Sequence, residues 1–170
     1  PQSTNDPLIT RKSSLNEFDS LLIDKKNKKI EIKKDITISK PLILTPEYTL
    51  IIDGGVNINL KDAGFVFVQG PLIMKGSQSN PIIVQSSNGG KGITVLNAEN
   101  LSVINYAKFY NLTPNTNSSL NITGGLTFYN SPVKINNSEF LNSKGEDALN
   151  LVRSKFNIRN TLFQNIFSDA

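Results

Sequence analysis

The sequence predicts an all-β fold, a right-handed single-stranded parallel β-helix with three short strands in each coil of about 23 residues. Three observations carry that expectation. A ten-residue skeleton is written twice, VKINNSEFLN at 133–142 and FNIRNTLFQN at 156–165, 23 residues apart. Within each copy the apolar residues alternate at period two, the spacing of a strand rather than a helix. Asn, a poor helix and strand former that suits turns, occurs 22 times in 170 residues, so turns must be frequent.

The skeleton extends backwards without a gap, 125–142 over 148–165. Leu126 then lies over Leu149, Phe128 over Leu151, Ser131 over Ser154, Val133 over Phe156 and Ile135 over Ile158. Asn137, Phe140 and Asn142 fall over Asn160, Phe163 and Asn165. An earlier copy, 92–111, fits with small length changes. Ile93 and Val95 stand for Leu126 and Phe128, Leu101 and Val103 for Val133 and Ile135, and Asn105, Phe109 and Asn111 complete it. Three strands per copy close one triangular coil, and stacked coils form three parallel sheets with strands about 4.8 Å apart. One coil cannot stand alone. Its inward side chains contribute about 1.5–3 kcal/mol each, while ordering its backbone costs about 1–2 kcal/mol per residue. Neighbouring coils supply the remainder.

From the N terminus, residues 1–29 lack the repeat and read as a non-repetitive cap, with the β-helix over 30–170. A solenoid needs its first coil covered. SSLNEFDSLL (13–22) fits a short capping helix, with Ser14 as N-cap and Glu17 three residues on. The net charge of +4 comes mostly from DKKNKKIEIKK at 24–34. That run reads either as a surface for phosphate or acidic glycan or as a solvated, aggregation-resistant edge, and its interleaved acids favour the edge. No aromatic residues accompany the lysines, so no nucleic-acid partner is expected.

DITIS, PLILT, YTLIID, VNINL, FVFVQG, PLIMKG and NPIIVQSS then alternate or run apolar between turns at TPEY, DGG, KDAG and KGSQSNP. LTPNTNSSLNITG (112–124) reads as a longer surface loop between coils, where solenoids place binding elements. IFSDA at the C terminus aligns with the approach to another coil, so the solenoid is expected to be truncated there and to continue past Ala170.

Asn105, Asn137 and Asn160 fall at one turn of successive coils and are expected to form a structural ladder. Asn tolerates the left-handed backbone, and each amide-to-amide bond adds about 1 kcal/mol net. Phe109, Phe140 and Phe163 are in phase with the core and read as an internal stack. The chain has no Cys and no His. That excludes disulfides, thiolate metal sites and a Cys nucleophile, and removes the commonest general base. No apolar run approaches the roughly 20 residues that span a bilayer, so no membrane span is expected.

These coils resemble the right-handed β-helix proteins of the pectate-lyase-like superfamily. GLTFYNSPVKINNSEFLNSKGEDALNLVRSKFNIRNTLFQNIFSDA (125–170), preceded by PLILTPEYTLIIDGGVNI and GPLIMKGSQSNPIIVQSS, is similar to the β-helix region attached to bacterial CotH-type (spore-coat-protein-H-like) kinase proteins. The resemblance spans residues 30–170. It implies the fold and an exported, extracellular or cell-surface setting. It carries over no catalytic residue, because the kinase-like part lies outside the β-helix and none of its motifs occurs here.

Glycan-cleaving members of that superfamily lay the substrate along one sheet and use carboxylates, Arg or Lys there. By that comparison the turn KGED and its successor SD form the candidate ligand or cation site. Asp147 and Asp169 occupy equivalent positions on adjacent coils, about 5 Å apart. Glu146 is adjacent, and Arg153 and Lys155 lie at the next turn. Three readings stay open: a Ca²⁺ site, with no other cofactor expected; a general acid and base pair; and turn capping by each Asp. The expected function is a non-catalytic β-helix module of an exported or cell-surface bacterial protein, a scaffold binding polysaccharide or protein along one face. The alternative is a fragment of a polysaccharide-cleaving lyase or hydrolase. That alternative loses its support if Glu146, Asp147, Asp169 and Arg153 fall on separate faces.

Overall fold

The computed structural model describes residues 12–115 and 122–167. After one 3₁₀ turn at Leu15–Glu17, strand β1 (Leu22–Asp24) runs antiparallel to β2 (Lys29–Ile32). The first coil is β2, β3 (Ile36–Ile38) and β4 (Pro41–Leu44). The second is β5 (Thr49–Asp53), β6 (Asn57–Lys61) and β7 (Phe65–Val68), and the third β8 (Leu72–Lys75), β9 (Ile82–Ser87) and β10 (Ile93–Leu96). β11 (Ser102–Asn105), β12 (Ala107–Tyr110) and β13 (Gly124–Tyr129) make the fourth. β14 (Val133–Asn136), β15 (Glu139–Leu141) and β16 (Asp147–Val152) make the fifth, followed by β17 (Phe156–Arg159) and β18 (Leu162–Gln164). Strands with the same place in each coil pair in parallel. Sheet A is β1-β2-β5-β8-β11-β14-β17, sheet B is β3-β6-β9-β12-β15-β18, and sheet C is β4-β7-β10-β13-β16. The fold is therefore an all-β parallel solenoid with three strands per coil.

The N-terminal end is closed differently from the capping helix that the sequence suggested. Only a single 3₁₀ turn forms, and Ser14 makes no side-chain cap bond to it. Its hydroxyl instead donates to Pro41 O and accepts from Ile43 N, both at 2.8 Å, so the β4 edge outcompetes the helix for this residue. Leu15, Phe18 and Leu21 are buried in the core of the solenoid. The basic run forms the β1–β2 hairpin at the edge of sheet A. Asp24 ties its turn by accepting from the backbone and side-chain nitrogens of Asn27, bonds that hold its carboxyl below the usual value.

Inside the bore, like residues stack on like because parallel register repeats every coil. Phe109, Phe140 and Phe163 form a column with centroids 4.7 and 4.8 Å apart and planes 14° and 4° from parallel. That separation is the interstrand spacing itself. Buried serines bridge successive coils. The Ser131 hydroxyl accepts from Ala98 N at 2.9 Å and donates to Tyr129 O at 2.9 Å. The Ser138 hydroxyl accepts from Ala107 N at 3.2 Å and donates to Asn136 O at 3.0 Å. Ser131→Ala leaves the buried Ala98 amide unpaired and is expected to cost about 1–3 kcal/mol. The readout is a lower urea midpoint at unchanged slope. An unchanged midpoint would show that water replaces the hydroxyl.

After β10 each corner turns on a residue with left-handed backbone. Between sheets C and A these are Asn97, Asn130 and Arg153, between A and B Tyr106, Asn137 and Asn160, and between B and C Asn111, Asn142 and Asn165, all with φ between 48° and 54°. Asn dominates because its short side chain accommodates that conformation. Ladder bonds run from Asn130 Nδ2 to Asn97 Oδ1, from Asn160 Nδ2 to Asn137 Oδ1 and from Asn165 Nδ2 to Asn142 Oδ1, at 3.0, 3.2 and 3.0 Å.

The expected ladder needs one correction. Asn105 is the last residue of β11 and pairs with Asn136, which donates to it at 2.9 Å; the corner residue below Asn137 is Tyr106. The same one-residue slip affects the fourth coil's strand in sheet A. Ser102 and Ile104 point inward opposite Val133 and Ile135, whereas Leu101 is 50% exposed and Val103 faces out. In a strand, a slip of one inverts every side chain.

The segment 112–124 is also not a free surface loop where it is described. Leu112, Asn115 and Ile122 are all buried. Ile122 joins Ile43, Phe65, Phe67 and Leu96 in a second apolar cluster on the outer face of sheet C. That face is therefore covered, and β7 and β10 are buried on both sides. FVFV at 65–68 signals this in the sequence, because a continuous apolar strand has no solvent face.

Candidate functional site

With sheet C covered, the outer surface available for binding lies on sheets A and B. The corner between them carries a groove. In the third coil this corner is the six-residue connection Gly76–Pro81, whereas in the fourth coil it is the single residue Tyr106 and in the fifth the two residues Asn137 and Ser138. The long connection stands out as a wall. It is held in shape by paired backbone bonds between Ser77 and Asn80, and it is anchored to the second coil by Gly55 N donating to Asn80 O at 3.1 Å. Gly76 lies directly against the next corner, where a Cβ would run into the carbonyl oxygens of Asn105 and Tyr106. Only glycine lets the wall spring from this point.

The groove beside that wall has a volume of about 490 Å³, within the range of small-ligand sites. Gln78 and Pro81 line it from the wall, Tyr106, Asn137 and Asn160 from the stacked corners, and the Lys108–Glu139 pair from the outer face of sheet B. Lys108 and Glu139 are directly opposed in register, and their charged atoms approach to 3.0 Å. The hydrogen bond that Lys108 donates to Glu139 raises the Lys108 ammonium above its ordinary value, outweighing the opposing effect of burial. On the lysine side the charge is fully present below the usual lysine range and is lost only as pH rises through the raised value. With about a third of each side chain exposed, its contribution to stability is small.

Tyr106 stands out on backbone grounds. Its φ is 48°, while the equivalent residues of the next two coils are Asn137 at 50° and Asn160 at 49°. A bulky aromatic side chain in this region costs about 1–2 kcal/mol and is a genuine outlier. Neither Tyr106 nor the Lys108–Glu139 pair was singled out from the sequence. The signal was available as the one break in a column of corner asparagines, once the register is right.

Of the residues singled out from the sequence, Asp147 and Arg153 do not come together. Asp147 opens β16 and Arg153 follows its last residue, so the two lie at opposite ends of a six-residue strand, about 20 Å apart. Glu146 is exposed. Asp147 is engaged with the preceding coil: its N–H donates to Thr123 O at 3.2 Å, and its carboxylate accepts from the Thr123 hydroxyl, which in turn accepts from Asn150 Nδ2. That is the geometry of a residue fastening the 112–124 connection. Arg153 takes the left-handed corner position occupied by Asn97 and Asn130 below it. Asp169 lies outside the described residues. Among the described residues no group of three His, Cys, Asp or Glu side chains is placed to hold a metal ion. Among the described residues no helix is long and apolar enough to cross a membrane.

Comparison of the chain with protein-family models, with curated proteins and with solved structures returned no match.

Proposed function

We propose that this chain is a non-catalytic β-solenoid module of an exported or cell-surface protein, and that it binds polysaccharide along the groove at the corner between sheets A and B. One observation carries the reading. A strained corner holds an aromatic residue, Tyr106, in the middle of a groove where the stacked coils otherwise use Asn. Backbone strain retained at a surface depression points to function, and an aromatic face beside amides and a fixed ion pair is suited to a sugar ring. The groove crosses four successive levels of the stack along the solenoid axis, from Gln78 to Asn160, which suits an extended chain better than a compact molecule. The setting outside the cell follows the resemblance to β-helix regions of exported proteins and stands as part of the proposal.

The cleaving alternative finds less support. Glycoside hydrolysis wants two carboxyl groups flanking the bond, and Glu139 is the one carboxylate of the groove lining, already paired with Lys108. A lysine acting as base needs its pKa lowered, whereas that of Lys108 is raised.

The test is affinity electrophoresis and calorimetry against a panel of soluble polysaccharides, with reducing-end and unsaturated-product assays run in parallel. Tyr106→Asn is the informative variant, because it removes the ring and relieves the corner. It is expected to weaken binding at least tenfold and to leave stability equal or about 1 kcal/mol higher. No binding by the unaltered chain to any polysaccharide would overturn the proposal. Sustained bond cleavage would replace it with the enzymatic alternative.

A further inference from the structure

Resting on that reading, we infer that the groove selects an uncharged polysaccharide, rich in hydroxyl or amide groups, over a polyuronate or other acidic glycan. The charges lining the groove are one cation and one anion, Lys108 and Glu139, and they face each other at 3.0 Å. A carboxylate-bearing ligand approaching Lys108 meets Glu139 at the same distance, so attraction and repulsion offset each other. The remaining polar groups are neutral. The Gln78 amide stands on the wall, the Asn137 and Asn160 amides run up the corner, and the Tyr106 hydroxyl lies below them.

The amide ladder ends inside the groove. Asn137 accepts from Asn160 through Oδ1, but the corner beneath it is Tyr106, which carries no amide. The Asn137 Nδ2 therefore finds no acceptor among the described residues. A hydroxyl or carbonyl oxygen on a ligand resting against Tyr106 meets that donor and continues the ladder by one rung. Neutral hydrogen-bonding groups aligned along the solenoid axis recognise a chain with polar oxygens at intervals. They supply none of the unpaired cations that a polyuronate requires to replace its counterions.

The experiment compares neutral and N-acetylated polysaccharides with polyuronates at about 20 mM and about 300 mM salt, where the Debye length falls from roughly 20 Å to below 8 Å. The intact chain is expected to bind a neutral or N-acetylated polymer with an affinity that changes less than twofold between the two salts. Binding to polyuronate is expected to be at least tenfold weaker. Glu139→Gln uncovers Lys108 and is expected to raise polyuronate binding severalfold at low salt only. Thermal melting checks that this exposed substitution leaves the fold intact. Tight, salt-sensitive polyuronate binding by the intact chain, abolished by Lys108→Met, would overturn this inference and leave the glycan-binding reading standing. Absence of binding to either class would overturn both.

Discussion

Ile104→Asp is expected to unfold the solenoid, whereas the same change one residue earlier, Val103→Asp, is expected to leave it folded. The two residues are adjacent in β11 and both are β-branched and apolar. They differ in parity. Ile104 is fully buried and lies in register between Met74 and Ile135 inside the bore. A carboxylate there has no partner, and the penalty is on the order of 4 kcal/mol or more, even after the group takes up a proton. Because each coil depends on its neighbours, the damage spreads to the coils on either side. Val103 faces outward between Ile73 and Lys134. Its replacement is expected to cost about 1 kcal/mol or less. Circular dichroism and urea denaturation of the two variants decide the matter. Equal destabilisation, or the reverse order, would return the strand to the register in which Leu101 and Val103 point inward.

Phe140→Ala is expected to cost about 3–5 kcal/mol. Phe140 is the middle ring of the column, 1% exposed, with Phe109 and Phe163 stacked on its two faces. Its removal leaves a ring-sized cavity and takes a stacking partner from both neighbours at once. Phe163→Ala supplies the contrast. That ring is 43% exposed and contacts the column on one face only, so its loss is expected to cost about 1–2 kcal/mol. Urea midpoints measured under identical conditions give both values. A Phe163 variant as damaged as the Phe140 variant would mean that the outermost strands, not the middle of the stack, limit the stability of the whole solenoid.

The parts of the fold that were legible in the sequence share one property: they are written by local alternation repeated without a gap. The copies 125–142 and 148–165 align residue for residue, and their register in the structure is the one read from the letters, Leu126 with Leu149, Val133 with Phe156, Phe140 with Phe163. The copy at 92–111 was shifted over part of its length because both parities carry apolar residues there, Leu101 and Val103 on one and Ile104 on the other. Hydrophobicity alone does not choose between them. A second local sign does. Each left-handed corner residue between sheets A and B is followed by a small inward one, Asn137 by Ser138, Asn160 by Thr161 and Tyr106 by Ala107.

The candidate site was less legible. Equivalent aspartates on adjacent coils and an arginine at the next turn suggest converging charges, but a coil is a triangle, and residues at its successive corners are a strand's length apart. Asp147 and Arg153 illustrate this, the one bound to Thr123 and the other at the next corner. Spacing along the chain measures distance around the coil. Function in a stack of coils depends on neighbours along the axis.

The sequence by itself determined the coil, the three-strand count and the identity of the aromatic column, whereas the coil length varies, 23 residues from Val133 to Phe156 but 31 from Ser102 to Val133. Each follows from alternation and turn chemistry within about one repeat. Only the tertiary structure decided which face is open and where a ligand can lie. The outer face of sheet C is covered where Ile122 joins Ile43, Phe65, Phe67 and Leu96, from the preceding coils, in one apolar cluster. The groove exists because a six-residue corner in one coil stands beside corners of one and two residues in the next two. Neither fact belongs to a single repeat. Both arise from differences between repeats, and these differences act on one another only when stacking brings residues from distant parts of the chain to within a few ångströms.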